Sequence, residues 1–293
     1  MEAKNIMLLG MITGFAMICA VIVGFAADVL WPVGVLAGFV AGWIGALILA
    51  LLFLLVCTML VDTDKEQEKD SKFYRYLAHL YIDFALTIGR LKIHTQGMEN
   101  IPKQGRFIVV CNHLSDIDPA LVLHCFRNSQ LTFISKKENK NMPVIGGLMH
   151  KMLCQMIDRE NDREALKTIL KCIEIIKEDK ASVAVFPEGY VSLDGKLRHF
   201  RSGVFKIAQR TGVPIVVCTV TNTRQAMKKL LRLEKSEVTV HLVDVISGED
   251  AKAVPTVEVA ERVYEIMISD LGEERRSDEK SMHPDLQVRP ENW

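Results

Sequence analysis

Residues 106–126 read RFIVVCNHLSDIDPALVLHCF, and this stretch decides the fold. Its first part, 106–111, is a short apolar run bounded by polar residues, the pattern of a buried strand. A polar loop follows. Asp118 then starts a helix over 119–126, with Pro119 in the first turn, where a missing N–H costs little. The same alternation continues downstream. Strands are expected at 131–135, 153–157, 182–186, 214–219 and 238–246, and helices through 146–152, 165–177, 204–210 and 257–271. Asn161 and Glu164 form a capping-box pair before the 165–177 helix, in which positions 166, 169, 170, 173 and 176 make one apolar stripe. Strands separated by helices predict an α/β architecture, with a largely parallel central sheet flanked by helices. Such sheets carry their chemistry at the carboxyl ends of the strands. The loop holding His113 and the loop holding Glu188 are therefore expected to meet at one sheet edge.

The chain before this unit has a different character. Residues 5–27 carry no charge, and after Asp28 residues 29–61 carry none either. A spanning helix takes about 20 apolar residues, whereas a signal peptide has an apolar stretch of roughly 7–15 with a basic flank and a small-residue cleavage site. Neither signal-peptide feature is clear, so both runs are expected to be retained anchors. The breaks between them, Asp28 and Trp31-Pro32, predict a tight helical hairpin. As one helix the second run would reach about 50 Å, against a hydrocarbon core of about 30 Å. Part of it is expected to tilt, turn or follow the interface. Glycines 34, 38, 42 and 45 are expected to let the arms pack closely. The flanking charges are mixed, Lys4 on one side and Asp62, Asp64, Lys65, Glu66 and Glu68 on the other, so a positive flank fixes no orientation. Residues 73–88 place apolar side chains on one helical face, to dock on the domain or lie along lipid. The expected organisation is a membrane-embedding hairpin (1–61), an amphipathic connector (62–91), an α/β domain (92–271) and a polar C-terminal tail (272–293).

Composition excludes some classes of function. Lysine plus arginine number 36, and aspartate plus glutamate also number 36, so no net field draws the chain to nucleic acid. The seven cysteines are an odd count without a CxxC pair, and read as buried thiols in a reducing compartment rather than as a disulfide framework or metal site.

The chemistry concentrates in the loop after 106–111. Histidine is the natural proton acceptor near neutral pH, and the group bonded to its other nitrogen sets its tautomer. Asp118, five residues on at a helix start, can turn back to His113 and fill that role. The pair makes the base and orienting acid of a triad without a protein nucleophile, leaving a substrate hydroxyl to attack an acyl carbonyl. Ser115 has no GxSxG elbow and reads as a loop or cap residue. On the residues alone, His113 as a polar loop histidine stays open beside His113 as a base. A metal site lacks a second histidine at helical spacing.

The run Asn112-His113-Leu114-Ser115-Asp116-Ile117-Asp118 resembles the NHxxxxD signature of the glycerolipid acyltransferase family, particularly its bacterial 1-acyl-glycerol-3-phosphate acyltransferases. Further blocks resemble the family in the same order. These are Lys136-Lys137-Glu138 with Pro143 and Gly146, then Ile157-Asp158-Arg159, Phe186-Pro187-Glu188-Gly189 and Val213-Pro214-Ile215-Val216. The resemblance covers roughly 73–242, and the hairpin is also typical of the subfamily. It implies that His113 is the base, that Asp118 orients it and that Asn112 shapes the loop. It further implies that Arg159 clamps a glycerol phosphate, with Lys136 near the same pocket and Arg201 steadying phosphate or thioester. Glu188 and Gly189 match the block associated with the acyl acceptor. There the carboxylate would accept from a glycerol hydroxyl or hold the basic side chains. Two positions depart from the family. Tyr190 stands where threonine or serine is usual, and 150–156 lacks the usual glycine-phenylalanine character.

The implied reaction moves a fatty acyl group from a thioester, acyl-coenzyme A or acyl carrier protein, to the sn-2 hydroxyl of lysophosphatidic acid, giving phosphatidic acid. It needs no metal or other cofactor. The implied partners are the lipid bilayer, the lysolipid and the donor, at a bacterial cytoplasmic membrane with the catalytic domain on the cytoplasmic side. Two other readings remain open: the same chemistry on another lysophospholipid or acylated polyol, and a noncatalytic membrane lipid-binding protein.

Overall fold

The computed structural model describes residues 7–26 and 31–277. The expected turn at Asp28 and most of the expected tail lie outside them.

Two apolar helices lead the chain, α1 (Met7–Ala26) and α2 (Trp31–Met59). Both are long and apolar enough to cross a membrane, and they support association with one. They pack against each other at two of the four expected glycines. A Cβ on Gly38 would stand 2.8 Å from Val23 Cβ, and one on Gly42 would stand 2.6 Å from Cys19 Cβ, so only glycine permits this approach. Gly45 faces open space instead.

Helix α3 (Lys72–Ile88) has two working faces. One buries Ala78 and Leu86 against the domain. From the other, the Tyr74 hydroxyl donates to the carbonyl of Cys57 at 2.8 Å, and that of Tyr81 to the carbonyl of Ala50. The amphipathic segment thus docks on the domain and on the anchor at once.

The elements that follow are β1 (Leu91–Gln96), β2 (Ile108–Cys111), α4 (Asp118–Cys125), β3 (Leu131–Lys136), α5 (Ile145–Lys151), β4 (Gln155–Ile157) and α6 (Asp162–Lys177). Then come β5 (Ser182–Val185), α7 (Lys206–Thr211), β6 (Ile215–Thr221), α8 (Thr223–Leu230), β7 (Ser236–Ile246), α9 (Gly248–Ala253) and α10 (Thr256–Leu271). The seven strands form one sheet in the order β1-β7-β6-β2-β5-β3-β4. From β6 to β4 every pairing is parallel. Strand β7 is antiparallel to β6 and β1 is parallel to β7, so these two run against the other five. The sheet is parallel where the carboxyl edge matters and mixed at one end.

Both faces are covered, as parallel strands require. Ile108 and Val110 of β2 enter a core with α6, α7, α9 and α10, while Val109 and Cys111 enter a second core with α3, α4 and α8. This is the two-residue alternation of a strand buried on both sides. Asn161 caps α6 by accepting the Glu164 N–H at 3.2 Å. On the second face, Asp83 of α3 accepts from His124 Nδ1 and Arg127 Nη2, each at 2.8 Å, and so ties the anchor-bound helix to the end of α4.

Several boundaries differ from expectation. Leu153 takes a positive φ of 63°, which breaks the extended chain and confines the expected 153–157 strand to 155–157. The expected 204–210 helix opens as a 3-10 turn over Ser202–Phe205 before α7. Strand β1 and helices α8 and α9 were not anticipated. Residues 272–277 of the expected tail pack on the domain: the Leu197 N–H donates to Arg275 O at 2.7 Å, and Arg276 pairs with Glu265 at 2.6 Å.

Candidate active site

Strand β2 is buried throughout and delivers the chain to the sheet edge at Asn112. There the Asn112 side chain replaces a strand partner. Its Nδ2 donates to Val220 O at 3.0 Å and its Oδ1 accepts the Val220 N–H at 2.7 Å. Each end of this buried amide bonds β6, so Asn112 pins the loop.

One residue on, His113 Nδ1 lies 2.9 Å from Asp118 Oδ2. The same oxygen accepts the N–H of Leu114 at 2.6 Å and of Ser115 at 2.8 Å. Asp118 is fully buried at the first turn of α4, beside Pro119. Three donors converging on one carboxylate oxygen fix the loop around it. With Nδ1–H donating to Asp118, His113 Nε2 keeps its lone pair and is the basic atom. The imidazole also stacks on Phe186, with ring centroids 4.3 Å apart and planes 25° apart. Ser115 is buried and spends its N–H on Asp118, in keeping with a loop residue.

Strand β5 delivers the second loop to the same edge. Glu188 is 1% exposed, and its two oxygens accept backbone N–H groups from His113 at 2.7 Å and from Arg198 at 2.9 Å. Burial pushes its carboxyl up to about 8, against the pull of those two donors. Both Glu188 oxygens thus accept from backbone and tie the two loops together, and the positive charge of Arg198 also acts on this carboxyl. Gly189 has φ 81°, and a Cβ there would meet Arg201 Nε at 2.8 Å, so glycine makes the space Arg201 occupies.

Arg201 and Arg159 approach each other beside this loop. Burial, and next the charge of Arg159, pull Arg201 down to about 9, and burial lowers Arg159 too. Arg159 follows β4, three strand spacings from β2, roughly 14 Å along the edge at the usual ~4.8 Å per strand. Lys136 ends β3 and stands exposed on that edge. The structure therefore brings His113, Asp118, Glu188, Gly189 and Arg201 together, with Arg159 and Lys136 further along the same rim. On the other side of the His113 loop lies a cavity of about 150 Å³, with Asn112, Leu114, Thr221, Asn222, Arg224 and Gln225 in its lining.

Two residues escaped the sequence reading. Phe186 supports the imidazole, and its signal was its place in the block before Glu188. Arg198, buried and paired with Asp194 at 2.7 Å, gives its N–H to Glu188. No spacing rule pointed to it. Among the described residues no group of three or more His, Cys, Asp and Glu side chains is placed to hold a metal ion.

Comparisons with known proteins find similarity over the α/β domain. A family model described as Acyltransferase matches residues 92–221. The chain is 35% identical over 157 residues to the chloroplastic 1-acyl-sn-glycerol-3-phosphate acyltransferase BAT2 of Brassica napus, covering 53% of this chain and 44% of that protein. It is 32% identical over 161 residues to a probable 1-acyl-sn-glycerol-3-phosphate acyltransferase of Mycoplasma pneumoniae, covering 54% and 59%. It is 31% identical over 186 residues to the Saccharomyces cerevisiae 1-acyl-sn-glycerol-3-phosphate acyltransferase, covering 62% and 61%. The chain thus spans about half the length of the curated relatives it matches. Its fold resembles the crystal structure of the 1-acyl-sn-glycerophosphate acyltransferase PlsC from Thermotoga maritima, with TM-score 0.50 and 24% identity over 73% of this chain and 87% of that one.

Proposed function

We propose that this chain, whose residues 92–221 match the Acyltransferase family model, is a glycerolipid acyltransferase that acylates the sn-2 hydroxyl of 1-acyl-sn-glycerol 3-phosphate from a thioester donor, giving phosphatidic acid. One observation carries the reading: a histidine with a bare Nε2, oriented by a buried aspartate, sits on the same rim as two half-buried arginines that repel each other. A phosphate monoester offers the negative oxygens that two planar guanidinium groups take in bidentate fashion, and it relieves their repulsion.

In this reading His113 Nε2 removes the hydroxyl proton as the oxygen attacks the thioester carbonyl. The imidazolium formed is stabilised by Asp118. The tetrahedral intermediate collapses with cleavage of the carbon–sulfur bond, and the proton on His113 passes to the departing thiolate. Glu188 and Asn112 take no part in bond making. They hold the His113 loop against β5 and β6. Arg159 and Arg201 bind the acceptor phosphate, with Lys136 adding charge at the rim. The donor is acyl-coenzyme A or acyl carrier protein. The apolar pair α1 and α2 holds the rim beside the lipid that supplies the acceptor, at a bacterial cytoplasmic membrane with the domain on the cytoplasmic side.

The test offers the purified protein both donors, with lysophosphatidate and with a matched uncharged lysolipid. Turnover of lysophosphatidate that His113→Ala lowers by about 10²–10⁴-fold is expected. Equal use of both acceptors would move the reading to a different lysolipid or polyol. Absence of thioester-dependent turnover would remove it.

A further inference from the structure

Residues 224–235 concentrate charge in a chain that is neutral overall. Arg224, Lys228, Lys229, Arg232 and Lys235 are accompanied by one acid, Glu234, and all six are exposed. None of the five cations takes part in an ion pair among the described residues. Helix α8 turns Ala226, Met227 and Leu230 into the core, so its outer face is left to the basic residues. The turn after it exposes Leu231 at 76% and Leu233 at 56%. Favourable interaction with the helix C-terminus accounts for Lys228 and Lys229. It accounts neither for Arg232 and Lys235, beyond the helix, nor for the two leucines.

The position of this surface identifies what covers it. Helix α8 shares its face of the sheet with α3 and α4, and α3 is the helix bonded to the apolar pair at Cys57 and Ala50. Leu230 packs so closely on Gly89, at the end of α3, that a Cβ there would overlap it. The basic, leucine-tipped surface therefore continues the side of the molecule that already holds the membrane-seeking helices. We propose that residues 224–235 form a second membrane contact, specific for anionic bilayers. Leu231 and Leu233 enter the boundary between headgroups and acyl chains, and the five cations pair with lipid phosphates. Exposed apolar residues ringed by lysine and arginine are what an interfacial segment needs, and the attraction is strongest where the leaflet is negative. The contact seats the carboxyl edge of β6, and with it the His113 loop, at the lipid surface. It does not rest on the acyl-transfer reading. An acidic carrier protein is the competing occupant. The highly exposed leucines and the side shared with the apolar helices favour lipid.

The experiment uses the whole chain in vesicles, with Leu231→Trp placed in a background where Trp31, Trp43 and Trp293 are phenylalanine. Lipids brominated on their acyl chains should quench the new tryptophan in vesicles containing phosphatidylglycerol, but not in phosphatidylcholine alone. High salt should relieve the quenching, because the Debye length shrinks to about 3 Å near 1 M. The triple variant Lys228→Glu, Lys229→Glu, Arg232→Glu should lose it while still floating with the vesicles and melting at the parent temperature. Unquenched emission from protein that floats with anionic vesicles overturns the proposal, as does quenching indifferent to lipid charge and salt. If emission stays unquenched and the triple variant raises KM for acyl carrier protein but not for acyl-coenzyme A, the surface serves the carrier protein instead. Quenching needs no turnover, so failure of the acyl-transfer reading leaves this result separately readable.

Discussion

Replacing Glu188 with glutamine is nearly isosteric, yet it removes one of two acceptors. Each carboxyl oxygen takes one backbone N–H, from His113 at 2.7 Å and from Arg198 at 2.9 Å. Glutamine can satisfy only one of them; its amide nitrogen must face the other, donor against donor, in a site closed to water. A buried donor left without a partner costs about 1–3 kcal/mol, roughly 5- to 150-fold if it appears wholly in misplacement of the His113 loop. The expected result is a fall in kcat of that order, with KM for lysophosphatidate little changed, because Glu188 is too deeply buried to touch substrate. A rise in KM at unchanged kcat would refute this and return Glu188 to the acceptor pocket. Stability against pH gives a second readout. The folded carboxyl titrates at about 8, above its ordinary 4.5, so between those values the folded protein keeps a proton that the unfolded chain has lost. Stability from this group therefore declines as pH rises from about 4.5 to about 8 and is level above, and Glu188→Gln should remove that decline. Melting temperatures of detergent-solubilised parent and variant across this window test it. Parallel curves would mean the carboxyl is not the buried, proton-holding group described.

Asp118→Asn keeps an oxygen for His113 Nδ1 but loses the charge that steadies the imidazolium, so kcat should fall by about 10²–10⁴-fold. Activity close to the parent across pH would remove the orienting role. Arg159→Ala should depress kcat/KM for lysophosphatidate far more than for a matched uncharged lysolipid, and equal proportional losses would shift the phosphate site toward Arg201 or Lys136. Asp83→Asn weakens the buried contact with His124 and Arg127 that joins α3 to α4, and should cost about 3 kcal/mol in denaturant unfolding. A loss below ~1 kcal/mol would mean that packing alone holds the two helices together.

The strand–loop–helix unit at 106–126 was legible because all its information is local: an apolar run, a proline in a first turn, and an aspartate five residues from the histidine it holds. The cap at Asn161 and the two apolar helices were legible for the same reason. Strand β1 was not, since Leu91–Gln96 is a half-exposed edge strand without a strong apolar alternation. Its direction, and that of β7, depend on pairings that no periodicity records. Helix α8 was hidden by its basic outer face.

The roles at the site divide along the same line. Sequence by itself determined that His113 and Asp118 could meet, because five residues across a helix start leave few other arrangements. Only the tertiary structure decided what Glu188 and Asn112 do. The Glu188 oxygens bond N–H groups 75 and 10 residues away, and the Asn112 amide bonds a strand 108 residues on. A carboxylate that meets substrate and one that meets buried backbone have the same letter in the sequence. Which of them it is depends on whether the fold leaves water and ligand a path to the oxygen atoms, and burial is a property of the assembled sheet edge rather than of any local stretch.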